Sequence, residues 1–209
     1  MLYDFVKRLI DITGSFSGIF LLSPLFLVVS IAIKLDSEGP VFADTPMRVG
    51  KTGKLFKMYK FRSMVKDAQS ILENNPQLLD QYKKNSYKIF NDPRITSIGK
   101  IIRRFSIDEL PQLVNILKGE MSLVGPRAYY PFELEEQQVK YPSTRKYVKI
   151  ILEGRPGVTG VWQVSGRSNI NFDKRVEMDA KYVLRRSVIY DLQLMLKTIP
   201  AVVSGKGAI

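Results

Sequence analysis

The longest apolar run of the chain lies near its N-terminus, where residues 16–33 contain no charged side chain. Charged residues flank this run on both sides: Lys7, Arg8 and Asp11 before it, and Lys34 and Asp36 after it. About 18 apolar residues lie at the lower edge of the length that spans a bilayer. A cleaved signal peptide fits poorly, because no small-residue cleavage site follows the run. The pattern favours a membrane anchor, and the alternative is a buried core helix.

Ser23 and Pro24 divide the run near its middle. Proline removes a backbone donor and clashes with the preceding turn, so it bends or breaks a helix, and a neighbouring hydroxyl can satisfy the freed carbonyl in lipid. The run is then either a kinked helix that crosses the membrane or a hairpin that returns to its own side. Of the 32 Lys and Arg residues, 29 follow residue 38, and Lys7 and Arg8 precede the run. Both flanks prefer the cytoplasm, which favours a re-entrant hairpin with its membrane bend at Ser23 and Pro24.

The rest of the chain predicts a mainly helical α+β domain. Residues 39–65 predict a short β region in which Gly50 and Gly53 bracket a tight turn. The second strand, residues 55–62, alternates apolar and basic positions, which is typical of a small β-hairpin with a solvated basic face. Helices are predicted over residues 66–82, interrupted at 74–76, and over residues 95–105 and 172–203. The last two are amphipathic helices suited to core packing, a membrane surface or a partner. We therefore expect a re-entrant membrane anchor over residues 1–36 and a cytoplasmic domain over 37–209.

Composition narrows the chemistry of this domain. The chain contains neither Cys nor His, which excludes thiol and imidazole catalysis and most zinc sites. Its formal charge of +12 points to a polyanionic partner, namely nucleic acid, anionic lipid or a phosphorylated substrate. Any nucleophile or general acid must then come mainly from carboxylates, hydroxyls or lysines.

Asp108 and Glu109 are the strongest candidates for that chemistry. Ser106 and Glu109 match a capping box, so the structural alternative is that both carboxylates only begin a helix ending near Gly119. However, Arg103, Arg104 and Arg127 provide a basic setting. A carboxylate pair beside phosphate-binding arginines can hold Mg²⁺, or one carboxylate can attack phosphorus directly.

A glycine-rich loop over residues 155–168 follows, with two arginines and the only Trp of the chain. Glycines allow close approach of a ligand to the backbone, so the loop is a candidate pocket, although tight turns alone explain the glycines.

Several sequence blocks together resemble the polyprenyl-phosphate sugar-1-phosphate transferases, the monotopic phosphoglycosyl transferase superfamily of bacterial surface-glycan pathways. The resemblance covers nearly the whole chain and is most specific in the Asp-Glu-Leu-Pro-Gln block. It is carried by the hairpin around Ser23-Pro24 and by residues 59–64, 92–96, 103–113, 117–127 and 155–160. Two departures are Ala128, where such proteins have a second Pro, and Asp44, where a basic or amide residue is commoner.

By position, the resemblance implies roles for individual residues. Asp108 resembles the nucleophile and Glu109 its partner, and both would hold Mg²⁺, or alternatively Mn²⁺. The phosphate-holding arginines correspond to Arg103 and Arg127. Further positions that match substrate-binding motifs are Lys60, Arg62, Gln163 and Arg167.

The resemblance also implies a reaction. Asp108 would attack a nucleoside diphosphate sugar, expected to be UDP-linked, and the phosphosugar would then pass to polyprenyl phosphate. We expect a monotopic enzyme on the cytoplasmic face of the bacterial inner membrane, in contact with lipids and without nucleic acid, while homo-oligomerisation is left open. The competing hypothesis, a membrane-tethered basic binding module for anionic lipid or nucleic acid, leaves the carboxylate pair and the glycine loop unexplained.

Overall fold

The computed structural model describes residues 2–85, 87, 89–166 and 170–204. Most of these residues are helical, and short strands form the remaining regular structure. In chain order the elements are α1 (Leu2–Leu21), α2 (Ser23–Asp36), β1 (Arg48–Val49), β2 (Leu55–Phe56), α3 (Ala68–Glu73), α4 (Pro76–Lys84), α5 (Ser97–Arg104), α6 (Gln112–Leu117), β3 (Ser122–Val124), α7 (Pro131–Lys140), α8 (Arg145–Ile151), β4 (Gly157–Thr159), α9 (Val161–Ser165), α10 (Phe172–Arg185) and α11 (Val188–Val203).

The predicted break in the N-terminal apolar run is confirmed. Helices α1 and α2 meet at a bend of 60°, with Pro24 in the first turn of α2. Pro24 has no N–H for the carbonyl of Phe20, and the hydroxyl of Ser23 donates to that carbonyl instead, at 2.8 Å. Within the described residues no single helix has the length and apolar character of a membrane span. The bent pair α1–α2, taken together, has both.

Helix α2 also packs against the rest of the domain. Val29 and Ile33 are buried against Phe61 and Ile102, while the opposite side leaves large apolar side chains exposed: Leu27, Val28, Ile31 and Leu35. A core helix of a soluble protein is apolar because it is buried all round, so the exposed side chains do not fit that alternative.

Two small sheets lie between the helices. The predicted hairpin is present as the antiparallel pair β1–β2, with Arg48 opposite Phe56. The second sheet, the parallel pair β3–β4 with Ser122 opposite Gly157, was not predicted. The strands and their flanking loops approach so closely that a Cβ at Gly157 would lie 2.0 Å from the nitrogen of Gly125. The absence of a side chain at this position therefore allows close contact between two loops that carry predicted site residues.

The C-terminal amphipathic region is not one helix. Helix α10 ends at Arg185, and the hydroxyl of Ser187 begins α11 by accepting the N–H of Tyr190 at 3.2 Å. The prediction of a single helix over 172–203 was wrong because a side-chain cap interrupts an otherwise continuous apolar pattern. Helix α10 packs in the main core with α8, and α11 contacts β3 and α1.

Candidate active site

Asp108 and Glu109 lie in a tight turn between α5 and α6. Residues Ile107–Glu109 form one 3₁₀ turn, and Ser106 before it adopts a left-handed conformation with φ of 54°. The Ser106 side chain accepts no capping hydrogen bond, so the capping box expected from the sequence is wrong. The capping box, which was the main structural alternative to a catalytic role for the two carboxylates, is therefore not formed.

Lys60 lies beside both carboxylates. Its Nζ is 2.8 Å from Oε1 of Glu109 and 3.9 Å from Oδ2 of Asp108. The backbone on either side of Lys60 is fixed, because Tyr59 N–H donates to Oδ1 of Asn115 and Phe61 N–H donates to the carbonyl of Asp108, each at 2.9 Å. The extended segment that carries Lys60 is thus tied both to α6 and to the carboxylate turn.

Nearby cations give the two buried carboxylates different pKa values. Burial raises the pKa of Asp108 to about 6, and the nearby charge of Glu109 adds to the rise, while Lys60 and Arg103 oppose it. Burial acts in the same direction on Glu109, but Lys60, Arg127 and Arg48 outweigh it and lower the pKa of Glu109. At neutral pH both groups are therefore anionic, and Asp108 keeps the more basic oxygen of the pair.

Both predicted phosphate-holding arginines lie near this pair. Nε of Arg103 donates to Oγ of Ser63 at 2.8 Å, and its charge reaches Asp108. Arg127 follows the Gly125-Pro126 turn, and its charge lowers the pKa of Glu109. The Nε of Arg127 is buried and has no hydrogen-bond partner among the described residues, which leaves a donor available for an anion.

A buried cluster behind Arg127 was not predicted. The guanidinium carbons of Arg127 and Arg175 each lie 5.0 Å from the centre of the Trp162 ring, so the indole contacts two positive groups. Asp179 is fully buried and accepts the backbone N–H of Arg127 at 2.9 Å. The signal in the sequence was the single Trp of the glycine-rich loop. Its partners on α10 gave no local pattern.

Arg48 was missed for a different reason. It belongs to the predicted hairpin, whose basic face was expected to be solvated, but Arg48 is only 6% exposed. Its Nη1 donates to the carbonyl of Ala128 at 3.0 Å, and its guanidinium carbon lies 3.3 Å from the centre of the Tyr130 ring. The expectation of a solvated face is thus wrong at Arg48, which instead adds positive charge behind Glu109.

Arg62 and Gln163 have hydrogen-bond partners other than the two carboxylates. All donors of Arg62 bind the end of α2 and the following segment, through the carbonyls of Ile33, Ser37, Glu38 and Pro40 and the hydroxyl of Ser37. A substrate-binding role for Arg62 stays a prediction, and all of its N–H donors are already used in these hydrogen bonds. Nε2 of Gln163 donates to the carbonyl of Val158 at 2.6 Å. Arg167 lies outside the described residues.

The donor set for a divalent cation is small. Within the described ranges no cluster of three or more Asp, Glu, His or Cys residues is arranged to hold a metal ion. Asp108 and Glu109 provide two carboxylates, and Mg²⁺ is commonly bound by one or two carboxylates together with waters and substrate phosphates. The residues therefore fit Mg²⁺ that is held jointly with a phosphorylated substrate, provided that the ammonium of Lys60 moves aside.

The chain is similar in sequence to bacterial sugar transferases over nearly its whole length. The sequence profile described as bacterial sugar transferase matches residues 2–205. The exopolysaccharide production protein ExoY of Rhizobium meliloti is 40% identical over 206 residues, which are 97% of this chain and 87% of the relative. The undecaprenyl-phosphate galactose phosphotransferase of Salmonella typhimurium is 41% identical, over 98% of this chain and 42% of the relative. The undecaprenyl-phosphate glucose phosphotransferase of Komagataeibacter xylinus is 38% identical, over 97% of this chain and 36% of the relative.

The buried Asp179 predicts a pH-dependent stability difference. Burial raises its pKa to about 7, against the bonds and charges of Arg127 and Arg175. A carboxyl whose pKa is raised by folding stabilises the folded state fully at acid pH, and this contribution is lost as pH rises towards 7. Asp179→Asn keeps an acceptor for Arg127 N–H and cannot ionise. We expect the unfolding temperature of Asp179→Asn, relative to the parent, to be higher at pH 8 than at pH 5.5.

Differential scanning fluorimetry of the purified protein in detergent measures this difference. Asp44→Asn, on an exposed carboxylate, is the control for loss of one charge. The same offset between Asp179→Asn and the parent at both pH values would contradict the assignment.

Proposed function

Because the chain belongs to the bacterial sugar transferase family, we propose that it moves a sugar-1-phosphate from a nucleoside diphosphate sugar to a polyprenyl phosphate, with Asp108 as the covalent nucleophile. The observation that carries the proposal is that Asp108, a buried carboxylate with a raised pKa, lies beside Lys60 and Glu109. The relatives that are named as undecaprenyl-phosphate sugar phosphotransferases support this reaction class.

In the first step, an ionised oxygen of Asp108 attacks the phosphorus that bears the sugar. The bond from that phosphorus to the bridging oxygen breaks, and the nucleoside monophosphate leaves with the electron pair. The product is an aspartyl-phosphosugar. Attack needs the anionic form of Asp108, and a raised pKa makes that anion a better nucleophile than an exposed aspartate.

In the second step, a phosphate oxygen of the polyprenyl phosphate attacks the same phosphorus. The acyl phosphate bond breaks, Asp108 returns as a carboxylate, and a polyprenyl diphosphate sugar is released. One carboxylate thus serves two successive substrates, of which one is soluble and the other is held in lipid. This places the phosphorus-bearing site at the surface of the membrane.

Positive side chains offset the charge of an anionic nucleophile that meets an anionic substrate. Lys60 is within reach of both carboxylates, and Arg103 approaches the same pair from α5. The buried, unpartnered Nε of Arg127 and Nε1 of Trp162 are additional donors. An unsatisfied buried donor costs about 1–3 kcal/mol, and a substrate phosphate would remove that cost at Arg127.

Asp108 and Glu109 are also the residues that would hold Mg²⁺, or Mn²⁺, together with the substrate phosphates. When bound, such an ion neutralises phosphate charge and polarises the phosphorus centre. The lowered pKa of Glu109 favours its role as the permanently ionised ligand.

Membrane attachment through a re-entrant hairpin is the second part of the proposal. Near the start of α1, Nζ of Lys7 lies 2.7 Å from Oδ2 of Asp191 on α11. At the end of α2, the donors of Arg62 bind the carbonyls of Ile33 and Ser37. Both ends of the hairpin thus contact the same domain, which supports entry and exit on one side, the cytoplasmic face.

The sugar is a separate question, because the named relatives act on different sugars. One of the two phosphotransferases above is named for galactose and the other for glucose. A panel of UDP-sugars, assayed for UMP release in the presence of undecaprenyl phosphate, tests the reaction class and identifies the donor together. Absence of UMP release across the panel would contradict the proposal for UDP-linked donors.

Asp108→Asn should abolish the covalent adduct and turnover, since an amide cannot attack phosphorus. Intact-protein mass spectrometry after mixing with the donor alone should detect the phosphosugar adduct in the parent and not in the variant. Asp44→Asn, the same substitution on an exposed residue, should behave as the parent does. Turnover by Asp108→Asn near the parental rate would rule out the covalent mechanism.

Activity should require Mg²⁺ or Mn²⁺, because oxygen ligands are the suitable ones in a chain without His and Cys. Excess EDTA is expected to stop turnover, and added Mg²⁺ is expected to restore it. Unchanged turnover after chelation and dialysis would show that the carboxylate pair acts without a metal.

The re-entrant topology predicts that both Asp4 and the catalytic domain face the cytoplasm. Single-cysteine variants are clean probes, because the chain has no native Cys. Asp4→Cys and, as control, Lys83→Cys on exposed α4 should both resist a membrane-impermeant maleimide in intact spheroplasts and react after permeabilisation. Labelling of Asp4→Cys alone in intact spheroplasts would show that α1 crosses the membrane.

A further inference from the structure

We propose that α1 is a positioning element of the active site, in which Asp11 sets the place of the Gly125–Arg127 loop relative to Asp108. The inference rests on the proposed transfer reaction, because it assigns Arg127 to the substrate phosphates. It goes beyond that reaction by giving the N-terminal helix a part in the rate of the chemical step, in addition to membrane attachment.

Asp11 connects α1 to the strand that leads into the Arg127 loop. It is only 1% exposed, and its Oδ1 accepts two hydrogen bonds from β3, from the hydroxyl of Ser122 and the N–H of Leu123, each at 2.9 Å. Strand β3 ends at Val124, and Gly125 follows directly. A shift of Asp11 would therefore move the start of the loop that ends at Arg127.

Arg8 connects the same helix to the other half of the site. Its Nη1 donates to the carbonyl of Ile116 at 2.6 Å, and its Nη2 donates to the carbonyl of Leu117 at 2.9 Å. These carbonyls belong to the last turn of α6, where a cation is also favoured by the helix dipole. Helix α6 begins at Gln112, three residues after Glu109, so Arg8 holds the helix that continues from the carboxylate turn.

The contact face of α1 leaves little room for sliding. Its residues recur at helical spacing of three and four: Arg8, Asp11, Gly14, Ser15 and Gly18. A Cβ at Gly14 would lie 2.9 Å from Cδ1 of Leu123, and one at Gly18 would lie 3.1 Å from Cδ1 of Leu113. One closely packed face therefore touches both β3 and α6, the elements next to Arg127 and to Asp108.

The cost of burying Asp11 points to a positional role. A membrane anchor needs no buried carboxylate, and an ionisable group away from water destabilises a protein unless hydrogen bonds compensate. Oδ1 is compensated by β3, but Oδ2 has no hydrogen-bond partner among the described residues. An apolar side chain would serve attachment alone at lower cost. The two directional bonds to β3 are what such a side chain would lack.

Variants at position 11 separate positioning from attachment. Asp11→Ala removes both bonds to β3, whereas Asp11→Asn keeps an acceptor at Oδ1. The parent, the two variants and Asp4→Ala, a control on the exposed side of α1, are mixed with a saturating UDP-sugar identified by the panel. Rapid quenching and mass spectrometry give the rate constant and the final amount of the aspartyl adduct.

We expect Asp11→Ala to lower the rate constant about 10- to 100-fold, the loss typical of a catalytic group that is misplaced by about 1 Å. Asp11→Asn should remain within about threefold of the parent, since it preserves the accepting oxygen, and Asp4→Ala should match the parent. Ser122→Ala removes one of the two bonds and should lower the rate constant by a smaller factor, which provides a second variant if Asp11→Ala does not fold.

A merely structural role gives a different result. If Asp11 only stabilises the fold, Asp11→Ala and Ser122→Ala lower the final amount of adduct while the remaining molecules react at the parental rate constant. That outcome overturns the inference and leaves the proposed function intact. Absence of adduct in the parent itself overturns the proposed function, and with it the assignment of Asp11.

Discussion

The contact between Lys60 and two adjacent carboxylates is the interaction on which the site depends. Two anions side by side and partly withdrawn from water repel each other, and without a nearby cation the pKa of at least one of them would rise strongly. Lys60 supplies that cation at 2.8 Å from Glu109 and 3.9 Å from Asp108. Backbone hydrogen bonds on both sides of Lys60 hold this pairing. Asn115 accepts the N–H of Tyr59, and the N–H of Phe61 donates to the carbonyl of Asp108 in the carboxylate turn.

The same contact explains why the carboxylates differ. Glu109 receives the shorter ion pair and the charges of Arg127 and Arg48, and its pKa falls. Asp108 lies farther from Lys60, so its burial is not offset and its pKa rises. Two groups of one chemical type thereby become suited to the different tasks that we propose for them, ionised ligand for Glu109 and nucleophile for Asp108. The difference between their pKa values follows from their surroundings in the fold, since both residues carry the same charge and are adjacent in sequence.

Sequence reasoning was most reliable where a local rule decides the structure. Pro24 alone predicts the break between α1 and α2. It was least reliable where a tertiary contact overrides the local pattern. Ser106 matched a helix cap and instead adopts a left-handed conformation, while Arg48 matched a solvated face and is buried. Strands β3 and β4 are three residues each, too short for periodicity to detect, and their pairing joins positions 35 apart in the register Ser122 to Gly157.

Helix α1 shows why such contacts escape a hydropathy pattern. Read by its apolar residues, it is the first half of an anchor, and its exposed side does carry Phe5, Leu9, Phe16 and Phe20. Its other side carries Asp11, Ser15 and two glycines, and a hydrophobicity profile does not show that these residues lie in a close contact. The membrane attachment that we propose uses the first set of residues, and the positioning of β3 and α6 that we propose uses the second. In this arrangement a single helix would link the membrane surface to the elements that hold Arg127 and Asp108.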